Sequence, residues 1–164
     1  MLKKFVSSLL AVLLIAGCSA GCSAGTDGEM VLNHKPVAEM ADGLVQTLGM
    51  SELKEVKERV MYGMFFETRK DAEDNFVTDG RVYRGEDKNA DTVGVFETTD
   101  KDQCIEYLNR YLETQKANSQ MYSPEEVFKI DNAILETSKD GSVVVLVISS
   151  EIEKAQTAVN ELLK

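Results

Sequence analysis

The stretch Asp140-Gly141-Ser142-Val143-Val144-Val145-Leu146-Val147-Ile148 decides the fold. From Val143 to Ile148 the run is apolar without interruption, so neither side of an extended chain is left for water. Such a segment is expected to be a strand buried on both faces and central in its sheet. Asp140-Gly141 supplies turn chemistry just before it. Upstream, Ile130 to Thr137 alternates weakly and reads as the partner strand of a hairpin.

Working outward, Ser150 with Glu153 reads as the cap of a last helix whose inward face is Ile152, Ala155, Val159 and Leu162. Before the hairpin, Tyr122-Ser123-Pro124-Glu125-Glu126 is a second helix start. Ser123 is its expected cap, Pro124 sits at the first position, and Glu126 is expected to reach back; the helix should end near Lys129. Asp100 with Gln103 fits a capping box for a longer helix that buries Cys104, Ile105, Leu108, Tyr111 and Leu112 and runs to about Ala117. Thr92 to Glu97 reads as a strand. Phe76-Val77-Thr78, Asp79-Gly80 and Arg81-Val82-Tyr83 read as a short hairpin with a type I′ turn.

Two helices are expected ahead of these elements. Val37, Met40, Ala41, Leu44, Val45 and Leu48 recur at helical spacing, with Pro36 in the first turn and Gly49 as the stop. Ser51 then opens a second pattern through Leu53, Val56, Val60 and Met64. Met61, Met64, Phe65 and Phe66 are read as core packing rather than as a pliable groove. The expected fold class is α+β: a small antiparallel sheet of about four strands with amphipathic helices packed on it, preceded by two N-terminal helices. One domain spanning 36–164 accounts for this length.

The other end of the chain carries a different message. Lys3 and Lys4 precede a short apolar stretch from Phe5 to Ala16, too short to span a bilayer, which needs roughly 20 apolar residues. Ile15-Ala16-Gly17-Cys18 places one aliphatic and two small residues directly before a cysteine. This resembles the lipobox of bacterial lipoproteins. The resemblance implies cleavage between Gly17 and Cys18, diacylglycerol on the Cys18 thiol, and attachment to the outer face of the cell membrane. More than one acyl chain is expected there, since a single chain binds only marginally. Cys22, preceded by Ser19-Ala20-Gly21, is a poorer match. Residues 1–17 are thus expected to be a signal peptide, and 18–35 a lipidated cysteine followed by a flexible, small and polar tether. His34, the sole histidine, falls at its end and is expected to be solvated.

Charge excludes some classes. The net charge is -10, and losing Lys3 and Lys4 with the leader takes it to -12. Nucleic acid is not an expected partner, and anionic lipid would not be held by a basic patch. With two of three cysteines in the tether region, no disulfide within the domain is expected, and the core must carry stability.

Several segments resemble one family. They are Ala90-Asp91-Thr92-Val93-Gly94-Val95-Phe96, the amphipathic helix after it, Gln115, Tyr122-Ser123-Pro124-Glu125, Ile130-Asp131-Asn132-Ala133, and Gly141-Ser142 with the apolar run to Ser149. Their order and spacing over roughly 40–160 resemble the uncharacterised lipoprotein domain of Gram-positive bacteria known as domain of unknown function four-three-five-eight. Thr92 departs from the second acid expected after Asp91. The resemblance implies an extracytoplasmic lipoprotein and carries no catalytic residue, substrate or cofactor.

Residue chemistry narrows the rest. There is no His-Glu-x-x-His, Gly-x-Ser-x-Gly, glycine-rich phosphate loop or Cys-x-x-Cys, so no catalytic set, metal site or cofactor is read and no enzyme is expected. Asp87, Asn89 and Asp91 match the first three ligand positions of a calcium loop. The pattern then fails at Thr92, where the turn wants Gly, and at Thr98, where a bidentate acid should stand. They remain a weak candidate cation or ligand loop beside the plainer reading of a solvated acidic loop. Three functions stay open: an envelope binding or protein-interaction module, a small-ligand or cation receptor, and a surface enzyme using carboxylates, in that order.

Overall fold

A computed structural model describes residues 34–164; Gly17, Cys18, Cys22 and the leader lie outside the described residues. The described chain is α+β, with a five-stranded, wholly antiparallel sheet in the order β1-β2-β3-β5-β4. Its elements are α1 (Val37–Leu48), β1 (Lys54–Glu55), α2 (Glu58–Phe66), β2 (Val77–Arg84), β3 (Thr92–Thr98), α3 (Lys101–Tyr122), a 3-10 turn (Pro124–Glu126), α4 (Val127–Asp131), β4 (Ile134–Thr137), β5 (Val143–Ile148) and α5 (Ile152–Leu162).

The apolar run is strand β5, and all six of its residues are buried. Alternation sends Val143, Val145 and Val147 to a core built with α1 and α5. Val144, Leu146 and Ile148 go to an opposite core built with α2, α3 and α4. Each such side chain, fully buried, contributes about 1.5–3 kcal/mol relative to exposure. The strand is interior, flanked by β3 and β4, although β3 holds the middle place. The sandwiched sheet explains why no polar face survives in this run.

The β4–β5 hairpin turns as expected. Gly141 takes φ 75, which a side chain resists, and Asp140 Oδ1 accepts hydrogen bonds from Ser138 Oγ, Ser142 N–H and Ser142 Oγ. Helix α1 also follows its pattern, burying Val37, Met40, Ala41, Leu44 and Leu48 and closing on Gly49 with φ 73. Asp100 caps α3 by accepting from Gln103 N–H; its own N–H donates to Thr98 Oγ1, which closes the cap from the strand side. Helix α3 runs past Ala117 to Tyr122.

Several expectations are corrected. Asp79-Gly80 is not a turn: neither residue has positive φ, and both lie within β2, which pairs along its length with β3 after a bulge between Val77 and Asp79. A Cβ at Gly80 would lie 2.7 Å from Met61 Sδ, so the thioether end of Met61 would have to shift to admit one. The helical pattern from Ser51 breaks, since Lys54 and Glu55 pair with Arg84 and Tyr83 as edge strand β1 and Val56 N–H donates to Val82 O. Helix α2 therefore starts at Glu58 and buries Met61, Tyr62, Phe65 and Phe66, leaving Val60 and Met64 exposed. The sheet has five strands rather than about four, and the two N-terminal helices take opposite faces. Ser150 caps nothing in α5, whose first turn carries no side-chain cap; Ser149 Oγ accepts from Glu151 N–H instead. Ser123 makes no side-chain cap, residues 130–131 close α4 rather than open a strand, and Glu126 reaches elsewhere.

Candidate functional site

Strand β2 ends at Arg84, and the chain returns to β3 through residues 85–91. Gly85 N–H donates to Asp91 O at 2.8 Å, closing the loop. Within it, Asn89 Oδ1 accepts from Asp91 N–H at 2.9 Å, as an Asx turn does. Asp87 takes φ 55 and stays exposed.

The corner after α3 clamps this loop. Glu126 Oε2 accepts from Ala90 N–H at 2.8 Å rather than reaching back along its own helix. Lys129 Nζ lies 2.9 Å from Glu126 Oε2, 3.0 Å from Asp91 Oδ1 and 3.4 Å from Asn89 Oδ1. The contact with Asp91 is an ion pair that lacks hydrogen-bond alignment. Burial pulls the Lys129 pKa down, but pairing with Glu126 and Asp91 outweighs it and holds the ammonium above the usual lysine range.

Of the three residues singled out as a cation loop, Asn89 and Asp91 thus converge, and they converge on an ammonium. Asp87 does not join them; it is exposed, on the wall of the adjoining cleft. Thr92 is fully buried, donates to Ala90 O, and lies opposite Arg84 in the β2–β3 register. An acid there would sit against that guanidinium. Among the described residues, no group of three His, Cys, Asp or Glu side chains is arranged to hold a metal ion.

Two clefts accompany this framework. A cleft of about 300 Å³ opens between the 87–90 loop and the last turns of α3; Arg84, Asn89, Gln115, Ser119 and Tyr122 are on its walls. A larger one, about 880 Å³, runs between α1 and α5 at the β4–β5 hairpin, floored by Met40, Leu44, Val143 and Ala158. His34 edges this larger cleft. Its side chain is 13% exposed and its Nδ1 lies 2.8 Å from Lys35 O, so it is packed and not solvated as expected.

Neither cleft was flagged by motif. One signal was available: in β2 the inward phase runs Val82, then Arg84, which puts a guanidinium on the buried side of a strand. Cys104 is fully buried, and burial pushes its thiol up to about 12, far from nucleophilic poise.

A family model described as a domain of unknown function (DUF4358) matches residues 65–149. The chain belongs to this family. The matched DUF4358 segment holds β2 to β5, α3, α4 and the end of α2, together with all the residues around Lys129 and the smaller cleft. It is narrower than the 40–160 span suggested by sequence spacing; α1, β1 and α5 lie outside it. No curated protein and no solved structure matches the chain.

Proposed function

We propose that this DUF4358 protein is a lipid-anchored module of the cell envelope, held to the outer face of the membrane through diacylglycerol on Cys18, and that it works by binding a protein partner. One observation carries the binding half. Among the described residues, every exposed large apolar side chain sits on α2, α3 or α4: Val60, Met64, Met121, Tyr122 and Phe128. Met121, Tyr122 and Phe128 are 70%, 63% and 61% exposed within eight residues of chain. The layer made by α1 and α5 has none. Segregation of this kind favours a docking face over random scatter.

Both sheet edges argue against docking by strand addition. Strand β1 is two residues long and charged, and β4 is four residues long with Glu136 turned to solvent. The partner is therefore assigned to the helical face. The anchoring half is supported by the leader and by Ile15-Ala16-Gly17-Cys18.

The test is photo-cross-linking in intact cells from a benzoylphenylalanine placed at Phe128. One reproducible envelope protein should be captured. The capture should disappear in a Met121→Asp, Tyr122→Asp variant that melts at the wild-type temperature. No capture, or capture unchanged by that variant, overturns the docking face. Separately, Cys18→Ala should release the protein or leave an unprocessed precursor; retention with lipid still attached overturns the anchor.

A further inference from the structure

Four basic side chains are half-buried in the described residues: Arg81, Arg84, Lys116 and Lys129. Three meet carboxylates. Arg81 pairs with Glu55, Lys116 lies 2.6 Å from Asp131, and Lys129 has Asp91 and Glu126. Arg84 has no carboxylate within 4.0 Å among the described residues. Its Nη2 donates to the neutral Gln115 Oε1 at 3.3 Å, its Nη1 lies 3.6 Å from Met64 Sδ, and its Nε is buried without an acceptor. In a chain with 28 acids and 18 bases, a counter-charge for this one guanidinium was the easiest thing to supply. A half-buried charge without one costs stability.

The same side chain lines the 300 Å³ cleft. Lys88 adds a second positive charge on its rim. Gln115, Asn118 and Ser119 of α3 offer neutral hydrogen-bonding groups, and Asp87 is the one acid on the wall. This volume is at the lower end of ligand sites, enough for a small group and not for an extended chain. A guanidinium presents a planar fork that matches a carboxylate or a phosphate group.

We propose that the cleft beside Arg84 binds a small oxyanion, a carboxylate or a phosphate group, which supplies the counter-charge that Arg84 lacks. The sign is opposite to that of the weak cation candidate in the neighbouring loop: Asn89 and Asp91 already converge on Lys129, while the cleft wall carries Arg84 and Lys88. The site adjoins the apolar docking face, since Tyr122 belongs to both and Met64 lies beside Arg84, but it recognises a different chemistry.

The experiment uses the full chain purified in detergent. Its Arg84 Nε–H and Ser119 backbone N–H resonances are followed while inorganic phosphate, or separately acetate, replaces chloride at constant ionic strength. Saturable shifts of both resonances with at least one anion are expected, and the anion that acts identifies the group as phosphate or carboxylate. Arg84→Gln should remove the Ser119 response. Should that variant not fold, Asn118→Asp decides: the position is exposed, and a carboxylate on the wall should weaken binding about tenfold or more. No saturable shift with either anion, or a response unchanged in the variants, overturns the proposal.

Discussion

Lys129 Nζ lies 3.0 Å from Asp91 Oδ1, and this contact ties α4 to the residue that leads into β3. Both side chains are largely shielded, at 17% and 14% exposed, and Glu126 completes the group. Lys70 and Glu58 are closer, at 2.6 Å, but each is half in solvent. Burial and not distance separates the two. Lys129→Met leaves two shielded carboxylates facing each other and is expected to cost about 2–3 kcal/mol, whereas Lys70→Met should cost nothing measurable. Urea unfolding of the two variants at neutral pH makes the comparison.

The same group sets an alkaline limit. The folded pKa of Lys129 is raised above 10.5, so its contribution to stability is complete below that value and is lost as pH climbs through the folded pKa. Wild-type stability should fall above pH 10.5 by an increment that Lys129→Met lacks. Parallel alkaline curves for the two proteins would contradict this.

Asp140 sets a limit at the other end. Hydrogen bonds from Ser138 and Ser142 hold its carboxyl down to about 2, against 3.8 for the free group. A lowered folded pKa stabilises above the unfolded value and ceases to do so as pH falls through the folded one. Asp140→Ala should lower the melting temperature at pH 7. The gap to wild type should shrink between pH 4 and pH 2, as melting curves across that range will read.

Gly94 makes room for an aromatic ring. A Cβ at this position would lie 2.9 Å from Phe96 Cε2 and Cζ, in the core where Phe96 meets Phe66 edge-on at 5.0 Å. The ring is boxed in and cannot slide aside as a surface side chain could. Gly94→Ala is expected to destabilise by about 1–3 kcal/mol through overpacking. Thermal unfolding with unchanged far-ultraviolet dichroism before the transition would show it.

Cys104 should report global unfolding. Its burial and its thiol pKa of about 12 keep the thiolate scarce at pH 8. The Cys104 peptide, followed by mass spectrometry, should resist iodoacetamide in native protein and alkylate fully in denaturant. Rapid labelling of the native state would contradict the packing of α3 on the sheet.

Much of the fold could be read from sequence where the physics is local. Val143 to Ile148, the Asp140-Gly141 turn, the buried stripe of α1 and the Asp100 cap each depend on residues within a few positions of one another. Misreadings arose where a local signal had a distant competitor. Asp79-Gly80 has hairpin chemistry, yet β3 offered a pairing partner along the whole of β2, and Met61 fills the space a side chain would need. Lys54 and Glu55 fit a helical pattern, yet the free edge at Tyr83 and Arg84 took their backbone.

The sequence by itself determined an α+β chain with one strand covered on both faces, and it alone carries the expectation of an anchor at Cys18. Its order and spacing of segments also pointed to the DUF4358 family. Only the tertiary structure decided which charges meet. Glu126 turns to Ala90 and Lys129 to Asp91, 36 and 38 positions away in the chain, while Arg84 is left to Gln115. The reason is physical. Hydrophobic period and turn propensity are set by neighbours along the chain, whereas a half-buried charge takes its partner from whatever the packed helices bring within about 4 Å.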